Sequence, residues 1–500
     1  MLCWSHAAQS GQPRNIRMTD EYDLLVVGGG INGTAIARAG SVAGQRVLLV
    51  ERGDLAEGTS SASTKLMHGG LRYLEHFEFR LVFEGLRERA IMLRTAPHIV
   101  RPLEFRLPHA PSMRAWPIVR IGLWIYDLLA IGGGLPRSRV VRGPDGALKD
   151  RGRPAFSYWD GWVDDARLVV LNAVDAAEAG AEIRTRTALR RASRAGASWR
   201  AVLDTPAGER LISARLMVNA AGPWVEEVLH TRLGLAGRGH MRLVRGSHLV
   251  VNRTLGGDHA RLLQQPDGRI IFAIPYLEDL TLIGTTEVEV SKPDDNRISA
   301  EEEDYLLAAA NLYLRDPLTT DDVIGHYAGI RPLFDDGADN AGAISRDFRL
   351  ELDNNGAPLL SVFGGKITTA RRLAAVALHK LGIVGGDTRH RPLPGGDIAD
   401  VAAFLAMVRR RWPFLDAPSA ERLARAYGTR IAELLGDAAQ LSDLGHGFGA
   451  GLSEREVDYL VHREWARSAD DILWRRTKLG YRLSPEQVAT LDAHVRMIAG

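Results

Sequence analysis

Cysteine is all but missing from this 500-residue chain: Cys3 stands alone, in a polar stretch ahead of the first apolar run. Downstream of it there can be no disulfide, thiolate metal site, iron–sulfur cluster or dithiol relay, which fits a reducing compartment and leaves any electron transfer to a bound cofactor. An excess of one charge is missing too. The 63 Lys+Arg against 61 Asp+Glu leave a formal +2, so nothing global recruits nucleic acid. No run reaches the roughly 20 apolar residues a membrane-spanning helix needs. The greasiest stretch, WPIVRIGLWIYDLLAI from Trp116, is interrupted by Arg120 and Asp127. Internal repeats, low-complexity tracts and metal-ligand spacings are lacking as well. Residues 1–20 have no apolar signal core, and Met18 stands where translation could begin, so they read as a disordered leader. With 45% hydrophobic and 25% charged residues, the remainder is ordinary globular protein long enough for two or three domains.

The first unit present is a nucleotide-binding one. The run from Tyr22 to Val27 (YDLLVV) reads as a buried parallel strand, followed by GGGING and a small-residue helix, TAIARAGSVAG. Gly28 permits the tight turn, Gly30 lets backbone approach a pyrophosphate, and Gly33 allows close helix–strand packing with the helix N-terminus toward negative charge. A second strand, RVLLVE, delivers Glu51 to the place where an acid binds ribose hydroxyls. A Gly-rich structural turn would not account for Glu51.

The chain then departs from the nicotinamide-enzyme pattern. Instead of another strand–helix unit it runs through ERGDLAEG into TSSASTKLMHGGLRYLEHFEFRL. The hydroxyls suit a second helix N-terminus near a pyrophosphate or flavin, although such a cluster can also be a solvated cap. Leu216 to Asn219 leads into AAGPW, a strand and a small-residue turn that can pass close to a cofactor. Ser361 to Phe363 leads into Gly364, Gly365 and Lys366, with a helix beginning about Ile367 to Thr369 whose dipole could face the pyrimidine edge of a flavin.

These motifs, with WVDDARL, VNAAGPWV, GSHLVV, IGTTEVE, GIRPLFDD, ISRD, LLSVFGGKITTARRLA and ADDILWRRTKLG, occur in an order that resembles the FAD-dependent glycerol-3-phosphate dehydrogenase family, the respiratory, quinone-linked kind. The likeness runs from about residue 21 almost to the end. It implies a mixed α/β (α+β) architecture: a Rossmann-like FAD-binding domain of the D-amino-acid oxidase-like type, an interleaved antiparallel-sheet substrate or cap domain, and a C-terminal all-helical domain. The expected layout is an oxidoreductase domain over 21–385 and the helical domain over 386–500. FAD-binding segments fall at about 21–90, 155–235 and 340–385, with cap segments at about 91–154 and 236–339. The residues implied to hold FAD are Gly28, Gly30, Asn32, Gly33, Glu51, Arg52, Thr59, Ser60, Ser63, Lys65, His68, Gly69, Ala221, Gly222, Gly365, Lys366 and Thr368.

The implied reaction is oxidation of sn-glycerol 3-phosphate to dihydroxyacetone phosphate, and it needs two kinds of residue. Fixed cations must hold a phosphate dianion, and a base or polarising group must serve the C2 hydroxyl. Arg72 and Arg346, with Tyr73, are the expected phosphate ligands. Arg331 and Lys366 are expected nearer the hydroxyl and flavin, where Arg331 stabilises alkoxide character. His248 is the first choice as proton acceptor and His68 the second, each having the alternative of a structural hydrogen-bonding role. Thr285 and Thr286 are candidate pocket walls or plain strand residues. The family implies ubiquinone or menaquinone as acceptor and peripheral attachment to the inner face of the cytoplasmic membrane. The Trp116 segment is then either an interfacial helix or a buried cap helix. An oxidase giving electrons to dioxygen would carry nearly the same site residues, and a non-catalytic flavin sensor would need no phosphate clamp. Beyond LPGGD at Leu393–Asp397 the chain reads as amphipathic helices. Arg409–Trp412 there is a solvated face or a lipid contact, and WRRTKLG serves packing or oligomerisation, a homodimer being one outcome.

Overall fold

The computed structural model describes residues 20–109, 115–149, 154–237, 241–335 and 347–499. The leader, Arg114 and Arg346 lie outside them. Two sheets organise the oxidoreductase domain. The opening unit is a strand, β1 (Glu21–Val27), a helix, α1 (Ile31–Val42), and a second strand, β2 (Val47–Val50). β1 pairs in parallel with β2 on one side and with Gly208–Asn219 on the other. Leu359–Phe363 continues the parallel set beyond Gly208–Asn219, and Glu182–Arg184 continues it beyond β2. Registers Val27↔Val50, Val27↔Asn219 and Asn219↔Ser361 bring the carboxyl ends of four strands level. The loops bearing Gly28, Glu51, Ala220 and Gly364 therefore open at one edge, where doubly wound sheets bind nucleotides.

These strands are continuous apolar runs because both faces are covered. α1, a helix at Asp165–Glu178 (here α4) and Ala370–Lys380 pack one face around Val26, Ile36, Leu49, Val169 and Leu373. Trp199, Val225 and Leu229 cover the other around Leu25 and Leu48. Asp164 caps α4, accepting the Arg167 backbone N–H at 3.1 Å.

Among the described residues the second sheet has ten strands, with Met241–Val251 and Val323–Phe334 paired antiparallel along their lengths. Its ladder is antiparallel except where His259–Gln264 runs parallel to Val100–Pro108. Ala155–Val163 belongs here, paired to Val100–Pro108 over nine residues, and so does Leu66–Met67. The FAD segment expected from 155 thus begins instead at α4. The strand runs straight into Asp164 with no turn residues, so nothing in the sequence marks the passage between sheets.

The amphipathic C-terminal pattern gives helices at Val401–Arg411, Ala417–Tyr427 and Glu454–Glu464 around their own core of Val408, Leu423, Leu434 and Leu460. The stretch SAERLARAYGTRIAELL is split at Gly428, whose φ is +54°, into the helices Ala417–Tyr427 and Ile431–Leu435. A short hairpin, Gly447–Gly449 with Leu452–Ser453, accompanies these helices.

The Trp116 segment forms a helix, Trp116–Leu129, that buries only Leu123 and Tyr126. Ile121 and Trp124 are 57% and 58% exposed, and Phe77 and Ile131 beside them 79% and 70%. It is a cap helix with its apolar face to the outside. No helix among the described residues is long and apolar enough to cross a membrane.

Candidate active site

The nucleotide end of the site is built by backbone approach. Gly28 has φ +113°, and a Cβ there would lie 2.5 Å from the Ala220 carbonyl oxygen; one on Gly33 would lie 1.9 Å from the Gly28 oxygen. Only glycine lets the β1 turn, α1 and the Ala220 loop meet. The Glu51 carboxylate accepts the Gly29 N–H at 2.6 Å and the Gly53 N–H at 2.8 Å, while burial pushes its pKa up against these two donors. The Ser60 hydroxyl accepts the Ile31 N–H at 3.0 Å, so this Ser/Thr loop stands at the N-terminus of α1. Arg52 stacks on Trp224 at 4.3 Å. The Trp224 indole N–H and Asn32 Oδ1 are buried without partners among the described residues. Asn32 Nδ2 donates to the Gly364 carbonyl at 3.1 Å, tying the first loop to the last.

TSSASTK is not the start of a long helix but one 3-10 turn, Thr59–Ser61. Its side chains divide their labour. Thr59 Oγ1 donates to the Ile330 carbonyl at 2.6 Å, linking the loop to the second sheet. Ser63 Oγ and Lys65 Nζ are taken up by Asp165, at 2.8 and 2.9 Å, with Lys65 and Asp165 both buried. These bonds hold the loop to Asp165.

Two residues that line one groove each carry a cation. On one, Lys366 Nζ sits 3.9 Å over the Tyr73 ring, whose position depends on Gly70 at φ +81°. On the other, Arg331 Nη2 donates to Thr285 Oγ1 at 3.0 Å and Nη1 reaches toward Glu287 at 3.9 Å. The groove, about 410 Å³, is lined by His68, Tyr73 and Thr285 and also by Phe77, Ile118 and Ile121. The Gly69 N–H beside His68 donates to the Tyr126 hydroxyl at 3.0 Å, and that hydroxyl donates to Asp160, which is paired with Arg89. Arg72 lies in the 3-10 turn Leu71–His76, with its side chain outside the described set, as all of Arg346 is.

His248 is 1% exposed, with its ring stacked on Tyr327 at 4.9 Å. Nε2 pairs with Thr64 Oγ1 at 2.9 Å, and Nδ1 has no partner among the described residues. Burial, then the charges of Arg331 and Lys65, push its pKa well below the ordinary 6.5, so the ring is neutral at physiological pH. Thr286 is buried, donating to Glu302 of the helix Ala300–Asn311 at 2.6 Å. Sequence reasoning missed Thr64, Tyr327 and Asp165. The only available signal was the Asp164–Asp165 pair in WVDDARL, since the contacts span 100 or more positions.

The glycine cradle, the Glu51 carboxylate on its two loop amides, the unpartnered Asn32 oxygen and the convergent loops fit FAD. This is the build of a flavin-dependent oxidoreductase with a cap sheet over the cofactor edge. Residues 23–371 match the family model described as FAD dependent oxidoreductase, and 386–500 match the C-terminal domain of alpha-glycerophosphate oxidase. A glycerol-3-phosphate dehydrogenase of Pseudomonas aeruginosa is 47% identical over 490 residues, 96% of each chain. A D-erythritol 1-phosphate dehydrogenase of Brucella abortus is 46% identical, covering 91% of this chain and 94% of its own. The solved glycerol-3-phosphate dehydrogenase of Bacillus halodurans, complexed with FAD, superposes with a TM-score of 0.74 at 28% identity over 96% of this chain and 90% of that one. The chain belongs to the FAD-dependent glycerol-3-phosphate dehydrogenase family, and its cofactor is FAD.

Proposed function

We propose that the protein oxidises sn-glycerol 3-phosphate to dihydroxyacetone phosphate and passes the electrons to a membrane quinone. The observation that carries this reading is a groove whose lining residues Tyr73 and Thr285 each carry a cation, Lys366 and Arg331, and whose lining also includes Ile118 and Ile121 of an exposed apolar helix. The glycine cradle, Glu51 and the Ser60 loop would hold FAD, which when bound would supply the acceptor for the hydride leaving C2. Arg331 stabilises negative charge as the C2 hydroxyl gives up its proton, and His248, kept neutral by burial, takes that proton. Arg72, Arg346 and Tyr73 hold the phosphate dianion, for which the bidentate guanidinium is suited. The exposed face of Trp116–Leu129, with Phe77 and Ile131, rests on the bilayer, so the groove opens where a quinone resides.

Two observations favour testing neighbours of this reading. The C-terminal match carries an oxidase's description, and one relative at 46% identity is named for a four-carbon polyol phosphate. Anaerobic titration of the yellow protein with glycerol 3-phosphate and, separately, D-erythritol 1-phosphate distinguishes them. Bleaching by the first, followed by reoxidation with a quinone analogue faster than with air, is the expected result. Failure to bleach with glycerol 3-phosphate would sink the substrate assignment, and faster reoxidation in air would make the enzyme an oxidase.

A further inference from the structure

WRRTKLG lies more than 400 positions from the nucleotide fingerprint, yet it touches the loops that shape the cofactor site. Arg475 and Arg476 lie in the π-helix Asp471–Arg476. Arg476 donates to both Asp54 oxygens at 2.8 Å, and Arg475 Nε donates to the same carboxylate at 2.5 Å. Asp54 and Arg476 are both buried. Asp54 belongs to the short loop that orients the ribose acid: Gly53 N–H bonds Glu51, and Ala56 N–H donates to the Gly29 carbonyl at 3.1 Å.

Two residues past the π-helix, Lys478 Nζ lies 3.2 Å from Asp164 Oδ1. Asp164 caps α4, and its neighbour Asp165 holds Ser63 and Lys65 of the flavin loop. Asp471, also buried, pairs with Arg186, and Arg186 N–H returns to the Gly53 carbonyl at 3.0 Å. One stretch of eight residues in the C-terminal domain is thus pinned by buried charge to both loops that flank the FAD cradle. Packing alone would not call for charges buried on both sides. Each such pair costs desolvation, and losing one partner strands the other in low dielectric.

We infer that residues 471–478 are a positioning element for FAD: the C-terminal domain sets cofactor affinity by fixing the Gly53–Ala56 and Thr59–Lys65 loops. No residue of this element touches the reacting atoms. It acts through Glu51 and the glycine loop, so its loss weakens the holoenzyme before it alters the chemistry.

The test titrates apoprotein with FAD, following quenching of flavin fluorescence, for wild type, Arg476→Met and Asp54→Asn. Arg422→Met serves as the structural control, because Arg422 pairs with buried Glu456 inside the C-terminal domain, away from both loops. The expected loss of FAD affinity is roughly tenfold or more for Arg476→Met and Asp54→Asn, within the about 5- to 150-fold span of coupled sites. Arg422→Met should lower thermal stability with FAD affinity held within about twofold. Equal FAD affinity in wild type and Arg476→Met, or an equal loss in the control, overturns the proposal. Coupling is reciprocal, so the wild-type protein gives an independent reading even if a variant fails to fold. Hydrogen exchange of backbone amides 471–478 should slow when FAD is added to apoprotein, and unchanged exchange there would refute the element's role.

Discussion

Replacing Gly246 with alanine is the sharpest single probe of Arg331. Gly246 and Gly329 are cross-strand partners in the second sheet, and both open space on one face of it. A Cβ on Gly246 would lie 2.4 Å from Arg331 Nη2 and 2.8 Å from Thr285 Oγ1. Restoring ordinary contact displaces the guanidinium by roughly 1 Å, which breaks its 3.0 Å bond to Thr285. A shift of that size at a reacting centre costs on the order of 100-fold in rate, about 2.7 kcal/mol. Loss of a hydrogen bond to a charged group, about 1.5–3 kcal/mol, points to the same figure. The charge of Arg331 is untouched, and φ at Gly246 is one that alanine adopts freely. Fold and FAD content should therefore survive. The assay is anaerobic stopped-flow bleaching of the flavin by glycerol 3-phosphate at saturation, with flavin content and thermal midpoint measured on the same samples. Bleaching within about threefold of wild type would refute the reasoning. Gly329→Ala is the companion: its Cβ would meet the Ala62 carbonyl oxygen at 2.9 Å, so the injury should fall on the Thr59–Ala62 loop and on FAD retention.

Removing the imidazole in His248→Ala should slow flavin reduction at saturating substrate by about 10²- to 10⁴-fold while substrate binding changes little; an unchanged rate transfers the proton-accepting role to His68. Because burial holds His248 neutral, the reduction rate should show no inflection from it between pH 6 and 8, and an imidazole-like inflection lost in the variant would contradict this. Burial, then Arg167, lowers the pKa of His98 to about 3, so the unfolded state binds the extra proton and stability falls as pH drops below 6.5. Between pH 6.5 and 4.5 that loss is about 2 kcal/mol, and urea midpoints of His98→Gln should show a flatter acid slope. Trp124→Glu, on the outer face of Trp116–Leu129, should abolish co-sedimentation with anionic liposomes at low salt while substrate still bleaches the flavin at the wild-type rate. A wild-type protein that stays in the supernatant would remove the membrane reading altogether.

The parts legible in the sequence are those where chemistry is local. The turn at Gly28–Gly33, the acid at Glu51 and the loop at Gly364–Lys366 each carry their constraint within a few residues, and all three follow the carboxyl ends of the parallel strands. Lys65 shows the opposite case. The resemblance implied a cofactor role for it, and its Nζ bonds a carboxylate 100 positions away, a partner that no local pattern announces. The strand Ala155–Val163 was misplaced for a related reason, since strand and helix adjoin there although they serve different sheets. GSHLVV and GIRPL show a third case. Their histidine and arginine drew attention, whereas their leading glycines, Gly246 and Gly329, do the spatial work that only paired strands make visible.

The interleaving of the two sheets has a consequence for how the protein is made. β1 emerges first from the ribosome, but its neighbour on one side is Gly208–Asn219, about 190 residues later. At about 5–20 residues per second, β1 waits some 10 to 40 seconds for that partner. The Gly28 turn has no Ala220 to pack against until then, and Asn32 has no Gly364 carbonyl. The cofactor loops gain their last braces only when residues 471–478 have been synthesised. On the proposed role of residues 471–478, FAD loading is a late event in the life of the chain, and a chain ending before Asp471 is expected to hold its flavin poorly.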